Sequence, residues 1–171
     1  MTNISSYTAG TVPSSEIMEI RLASRSDVDA LVDFNQSMAL ETEGKRLDGS
    51  VLRSGVAAVF EDAQKGFYIV ADDGGKLAGG LLVTFEWSDW RNGWFWYVQS
   101  VYIRPEYRGQ SIYTRLYELV RRLADERGDV CGFRLYVEKE NEHAQRVYEG
   151  VGMERSYYVM YEEEKRKPES S

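Results

Sequence analysis

The sequence carries one cysteine, Cys131, and one histidine, His143, so no internal disulfide forms and no ordinary cysteine- or histidine-rich metal site can be assembled. A metal-free chain is expected. No apolar run approaches the roughly 20 residues that a membrane span needs. The opening stretch MTNISSYTAGTVPSSE has neither a basic nor an apolar targeting segment, so a cytoplasmic protein with no membrane partner is expected. Basic residues are also in deficit, 21 against 28 acidic ones, a formal net charge of −7. That balance argues against general nucleic-acid binding, which needs a basic face to neutralise phosphates. What remains is 171 residues, 43% hydrophobic and 29% charged, the composition of one globular domain with a core.

Residues 1–15 are rich in Ser, Thr and Gly and read as an N-terminal arm, with 165–171 as a matching tail and 16–164 as the folded domain. EIMEIRLAS alternates like a strand, and the following SRSDVDALVDFNQSMALETEG sets Val28, Leu31, Phe34, Asn35, Met38 and Ala39 at helical spacing. Ser26 and Asp29 give that helix a capping-box-like start, and Gly44 a stop. A shorter helix is expected over SVLRSGVAAVFEDAQ. GFYIVADD and LAGGLLVTFEW flank the turn DGGK as a hairpin, and SDWRNG turns the chain into WFWYVQSVYI. A helix over 109–128, the strand GFRLYVEK, a helix over NEHAQRVYEGVG capped by Asn141, and a last strand MERSYYVMYEEE complete the order β-α-α-β-β-β-α-β-α-β. This predicts an α+β fold: one mixed, mostly antiparallel sheet with helices on both faces.

Charge is uneven along the chain. Arg104, Arg108, Arg115, Arg121 and Arg122 share a segment whose only acids are Glu106 and Glu118. Its helix starts behind Arg108 and Gly109, and a helix N-terminus with free N–H groups is a ready anion site.

VYIRPEYRGQSIYTRLY, followed by NEHAQRVYEGVGM, resembles the GNAT family of N-acetyltransferases over nearly the whole chain. Arg108 fits the head of the family's cofactor signature, with Ser111 and Tyr113 at its two small positions. Asn141, Ala144 and Tyr148 meet the second signature. The resemblance implies acetyl-CoA as acetyl donor. Its pantetheine arm would lie along Val101, Tyr102 and Ile103, its pyrophosphate would meet the N–H groups of Arg108, Gly109, Gln110, Ser111, Ile112 and Tyr113, and Asn141, Ala144 and Tyr148 would complete the site. It also gives Tyr148 the role of acid toward the leaving thiolate, and leaves a homodimer open.

Relatives often carry an acid where this chain has Tyr97, so Glu86 is taken as the candidate base. Glu41, Glu43 and Trp87 are candidate acceptor contacts. With Asp89, these carboxylates favour a small cationic amine over an anionic acceptor, although Arg91, Lys45 and Arg46 lie in the same segments. Two alternatives stay open: a coenzyme A-binding relative without catalysis, and a protein or peptide N-acetyltransferase. Trp94 and Trp96 share a strand face suited to helix packing. Cys131 and His143 receive no role.

Overall fold

The structure, a computed structural model, describes residues 18–165. The expected arm, and all of the expected tail but its first residue, lie outside the described residues. The chain divides into two units, Met1–Tyr136 and Val137–Ser171.

The first unit runs β1 (Glu19–Leu22), a 3-10 turn (Arg25–Asp27), α1 (Val28–Glu43), α2 (Gly49–Glu61), β2 (Phe67–Asp73), β3 (Lys76–Ser88), β4 (Gly93–Ile103), a second 3-10 turn (Pro105–Tyr107), α3 (Ile112–Arg127) and β5 (Val130–Leu135). The five strands lie in sheet order β1-β2-β3-β4-β5, all neighbours antiparallel except β4 and β5, which are parallel. The expected α+β fold is present. The β2–β3 turn needs left-handed backbone at Gly74 (φ 61°) and Gly75 (φ 94°), and Asp72 Oδ1 accepts the Gly75 N–H at 2.7 Å.

Two starts differ from the sequence expectation. Asp27, not Asp29, secures the entry to α1: its carboxylate accepts the Ser24 N–H at 2.7 Å and is gripped by both Nη atoms of Arg21, at 2.8 and 3.0 Å. Asp29 instead pairs with Arg53 of α2. The 3-10 turn moves the cap one turn upstream, which the local pattern around Ser26 did not reveal. Likewise α3 begins at Ile112 rather than near 109, because Gly109 (φ 76°) and Ser111 (φ 56°) take left-handed conformations that a helix cannot continue through.

Val28, Leu31 and Phe34 of α1 and Val56 of α2 close over Tyr68, Val70, Leu77 and Tyr102 of the sheet. Alternation turns Ile69 and Ala71, both fully buried, to the opposite face. There α3 packs against β1, β2, β3 and β5 and buries Ile112, Leu116, Leu119, Val120 and Ala124. Trp94 and Trp96 belong to this second face, grouped with Phe85, and the Arg127 guanidinium at the end of α3 sits 5.7 Å from the Trp94 ring.

In the second unit α4 (Glu142–Gly150) starts where Asn141 Oδ1 accepts the Ala144 N–H at 3.0 Å, the expected cap. Gln145 Nε2 donates to the carbonyls of Glu138 and Lys139, folding the entry onto the first turn. No residue from 137 to 165 is fully buried, though Tyr148 is partly so. The last expected strand is not formed: beyond Gly152 the described chain is irregular. Its residues have strand propensity, but a strand exists only when a neighbour takes its backbone hydrogen bonds.

Candidate active site

Strand β4 is the axis of the candidate site. Its parallel pairing with β5 ends at Val98 opposite Leu135, while β4 continues to Ile103 with, among the described residues, only β3 paired beside it. Residues 99–103 therefore present an open backbone edge. Within that stretch the β3–β4 register slips: Leu82 faces Gln99 and Gly80 faces Tyr102, so Leu81 faces both Ser100 and Val101. Ser100 absorbs the bulge with φ 50°. Two glycines permit the close approach. A Cβ at Gly79 would stand 2.6 Å from the Tyr102 carbonyl, and one at Gly80 would stand 2.9 Å from the Ile69 carbonyl.

The turn leaving β4 is pinned by the Arg104 N–H on the Ala78 carbonyl, 2.9 Å. It reaches α3 through Arg108, Gly109, Gln110 and Ser111. The first helical bond runs from the Arg115 N–H to the Ser111 carbonyl (3.2 Å), and no side chain caps this end. By helix geometry the N–H groups of Ile112 and Thr114 have no intrahelical acceptor. Around Gly109 a Cβ would meet nothing within 4 Å. The Tyr113 ring is buried, stacked on Tyr117 at 6.0 Å, so its bulk is spent in the core rather than at the turn.

The Arg108 guanidinium is engaged within the chain. Nη2 donates to Glu41 Oε2 at 2.6 Å and Nε to the Ile103 carbonyl at 3.0 Å. The Tyr102 hydroxyl donates to the other Glu41 oxygen at 2.9 Å. The guanidinium first, with the Tyr102 hydroxyl adding to it, holds the Glu41 carboxyl below the usual range against the opposing effect of burial. Arg108 and Glu41, read from sequence as parts of different subsites, thus form one cluster. Glu43 pairs with Lys45 at 2.8 Å on the surface.

Glu86 lies elsewhere. It stands opposite Phe95, six residues along β4 from Val101, which is about 20 Å of strand at roughly 3.3 Å per residue. Its carboxylate pairs with Arg134 Nη1 at 2.6 Å, and that guanidinium lies 3.6 Å from the Phe95 ring centre. The register puts Thr84, Glu86, Tyr97, Gln99 and Arg134 on the α1 face of the sheet. There Gln99 Nε2 donates to Thr84 Oγ1 at 2.6 Å, and Tyr97 and Tyr136 lie with rings 5.2 Å apart. The hydrogen bond with Tyr97, then burial, pushes the Tyr136 phenol up to about 12. Arg134 and Tyr136 were missed by sequence reading; the signal was the alternation of polar with apolar residues in GFRLY. Trp87 is a correction. It faces Trp94, with ring centres 5.1 Å apart, so alternation sets it on the opposite face from Glu86 and the two cannot line one subsite.

In the second unit, Ala144 and Tyr148 share one side of α4, the Asn141 carbonyl oxygen is committed to its cap, and burial pushes the Tyr148 phenol up. Among the described residues no group of three or more His, Cys, Asp or Glu side chains could hold a metal ion, and no helix is long and apolar enough to cross a membrane.

Residues 32–153 match the model of the acetyltransferase (GNAT) family. A structure described as a "possible acetyltransferase" from Clostridium difficile 630 is 43% identical, with 89% of this chain and 100% of that one covered, at a TM-score of 0.82. The chain belongs to the GNAT family of acetyltransferases. Two more distant GNAT structures share the fold. A predicted acetyltransferase with acetyl-CoA from Clostridium acetobutylicum is 18% identical (86% and 96% covered, TM-score 0.72). An aminoglycoside N-acetyltransferase in complex with CoA is 13% identical (91% and 99% covered, TM-score 0.72).

The GNAT family uses acetyl-CoA, and the residues of this member fit it. An open strand edge offers backbone groups to an amide-bearing chain. The turn after it offers uncapped N–H groups to a pyrophosphate, with open space at Gly109.

Proposed function

We propose that this acetyltransferase moves the acetyl group of acetyl-CoA directly onto the primary amine of a small, cationic molecule bound on the open α1 face of β3–β5. The observation that carries the reading is the bulged β4 edge, open from Gln99 to Ile103 and leading into the uncapped start of α3. The backbone of Val101, Tyr102 and Ile103 would hold the pantetheine arm, and the N–H groups of residues 108–113 the pyrophosphate. Acetyl-CoA supplies the activated thioester.

The chain supplies the rest. A backbone N–H at the bulge, near Val101, donates to the oxygen that gains charge as the amine attacks; being fixed beforehand, it needs no reorganisation. Glu86, too far along the strand for direct contact with Val101, attracts the ammonium form to the open face and takes its proton through water. The acid must keep its proton until the thiolate leaves. Burial raises the Tyr148 phenol, which suits it to that role, and the family's second signature gives Tyr148, with Asn141 and Ala144, its place in the reading.

Calorimetric titration with coenzyme A should show binding that Arg108→Ala weakens by releasing the turn from Glu41 and the Ile103 carbonyl. Thiol release over a panel of amines should then fall by roughly ten- to a thousandfold in Tyr148→Phe with cofactor affinity nearly intact, the pattern of a lost proton donor in retained packing. Binding with no thiol release from any amine or peptide would turn the reading into a non-catalytic coenzyme A-binding relative.

A further inference from the structure

Two guanidinium groups gather at one ring of the sheet. That of Arg134 lies 3.6 Å from the centre of the Phe95 ring, and that of Arg91 lies 5.1 Å from it. The backbone makes room for this ring. A Cβ at Gly132, which pairs with Phe95 across β4 and β5, would stand 2.6 Å from it. Among the described residues Glu86 is the only carboxylate that pairs with either guanidinium. Two cations thus share one anion, and the patch keeps one positive charge in excess.

Arg134 spends a single nitrogen inside the chain. Its Nη1 donates to Glu86 Oε1 at 2.6 Å and toward the Tyr97 hydroxyl at 3.5 Å, while among the described residues Nε and Nη2 have no acceptor. That edge of a guanidinium carries two parallel N–H groups at the spacing of two carboxylate oxygens. The Arg134 side chain is 38% exposed, so a ligand can reach it.

We infer that Arg134 determines specificity, its Nε and Nη2 edge docking the carboxylate of a diamino acid that is acetylated on its side-chain amine. The inference rests on the reading of the α1 face as the acceptor side. Charge selects the anion, because one carboxylate balances the patch and a phosphate dianion would overshoot it. Distance selects the amine. Arg134 pairs with Tyr97, four residues from Val101, which is about 13 Å of strand at roughly 3.3 Å per residue. An α-amine stays within one carbon of the carboxylate, whereas a side-chain amine is carried several bonds along the strand toward Val101. The second amine keeps the whole molecule cationic.

Lysine with cadaverine, and ornithine with putrescine, are matched pairs that differ only in the carboxylate. On a chain of net charge −7 the long-range field favours the diamines, so a preference for the amino acids needs a local cation. Calorimetry of the full chain with coenzyme A present is expected to show each amino acid binding roughly tenfold tighter than its diamine, the scale of a bidentate charge-assisted pair. Arg134→Gln is expected to bring that ratio to unity or below. Arg134→Lys, which keeps the charge but not the fork, should leave it in between. The ratio is the readout because a variant that only loosens β5 weakens both members of a pair alike.

Diamines bound as tightly as the amino acids by the unmodified chain overturn the inference, as does a ratio that Arg134→Gln leaves intact. So does the absence of binding by either amino acid at about 10 mM, a concentration that reveals even millimolar affinity. Acetyl transfer to cadaverine with no gain for lysine would sink the carboxylate dock and keep the catalytic reading, whereas selective lysine binding without transfer would do the reverse.

Discussion

Helices α3 and α4 are both amphipathic, yet α3 buries seven residues and α4 buries none. The difference is in how far each stripe is covered. The apolar stripe of α3 lies on a completed sheet, where a fully buried leucine stabilises by roughly 1.5–3 kcal/mol. The stripe of α4, with Ala144, Val147 and Tyr148, is only partly buried, and the start of the helix is fixed by the Asn141 cap and by local bonds such as those of Gln145. An apolar stripe states what a helix needs; the fold decides whether the need is met.

Replacing one apolar residue in each helix tests this most severely. Leu116→Ala, at a fully buried position, is expected to cost about 3 kcal/mol in chemical denaturation, within the usual 2–5. Val147→Ala should cost less than about 1 kcal/mol. Equal losses would mean that α4 is as firmly packed as α3.

The next effect belongs to the first unit alone. Arg21 holds the Asp27 carboxyl below its ordinary range, chiefly through their hydrogen bonds, against the opposing effect of burial. A depressed carboxyl stabilises the fold above the unfolded value of about 3.9 and loses that contribution as pH falls through its lower folded value. Asp27→Asn should therefore cost about 2 kcal/mol at neutral pH, as hydrogen bonds to charged groups do, and flatten the acid side of the stability curve. An unchanged acid limb would remove Asp27 from this role.

Smallest is Asn141→Ala, expected to remove about 1 kcal/mol of helix capping. It should appear as faster amide exchange in α4 with little change in the global melting of the first unit.

The same contrast governs what could be read beforehand. Strands β2, β3 and β4, the glycine turn between the first two, and the Asn141 cap follow from local alternation, backbone freedom and side-chain reach, and all were legible. The final strand was expected because Tyr157 to Tyr161 has the right residues, but strand formation also requires a neighbour, and no local pattern says whether one is available. The cluster at Arg108 was hidden for a related reason. Glu41 lies 67 residues away in sequence, and only the packing of α1 on the sheet brings it within 2.6 Å. Glu86 and Trp87 were adjacent in sequence and so read together, whereas the pleat sends them to opposite faces.

The bond from Arg108 to Glu41 also bears on how the cofactor turn responds to ionic strength. A guanidinium already neutralised by a carboxylate adds little net positive charge there, and on a chain of net charge −7 the long-range field does not draw anions in. Attraction at the turn then rests on backbone dipoles at contact distance, an interaction that reaches less far than about 10 Å, the screening length in ordinary buffer. Coenzyme A affinity should accordingly change little as salt is raised, unlike the steep loss seen where free arginines grip a polyphosphate.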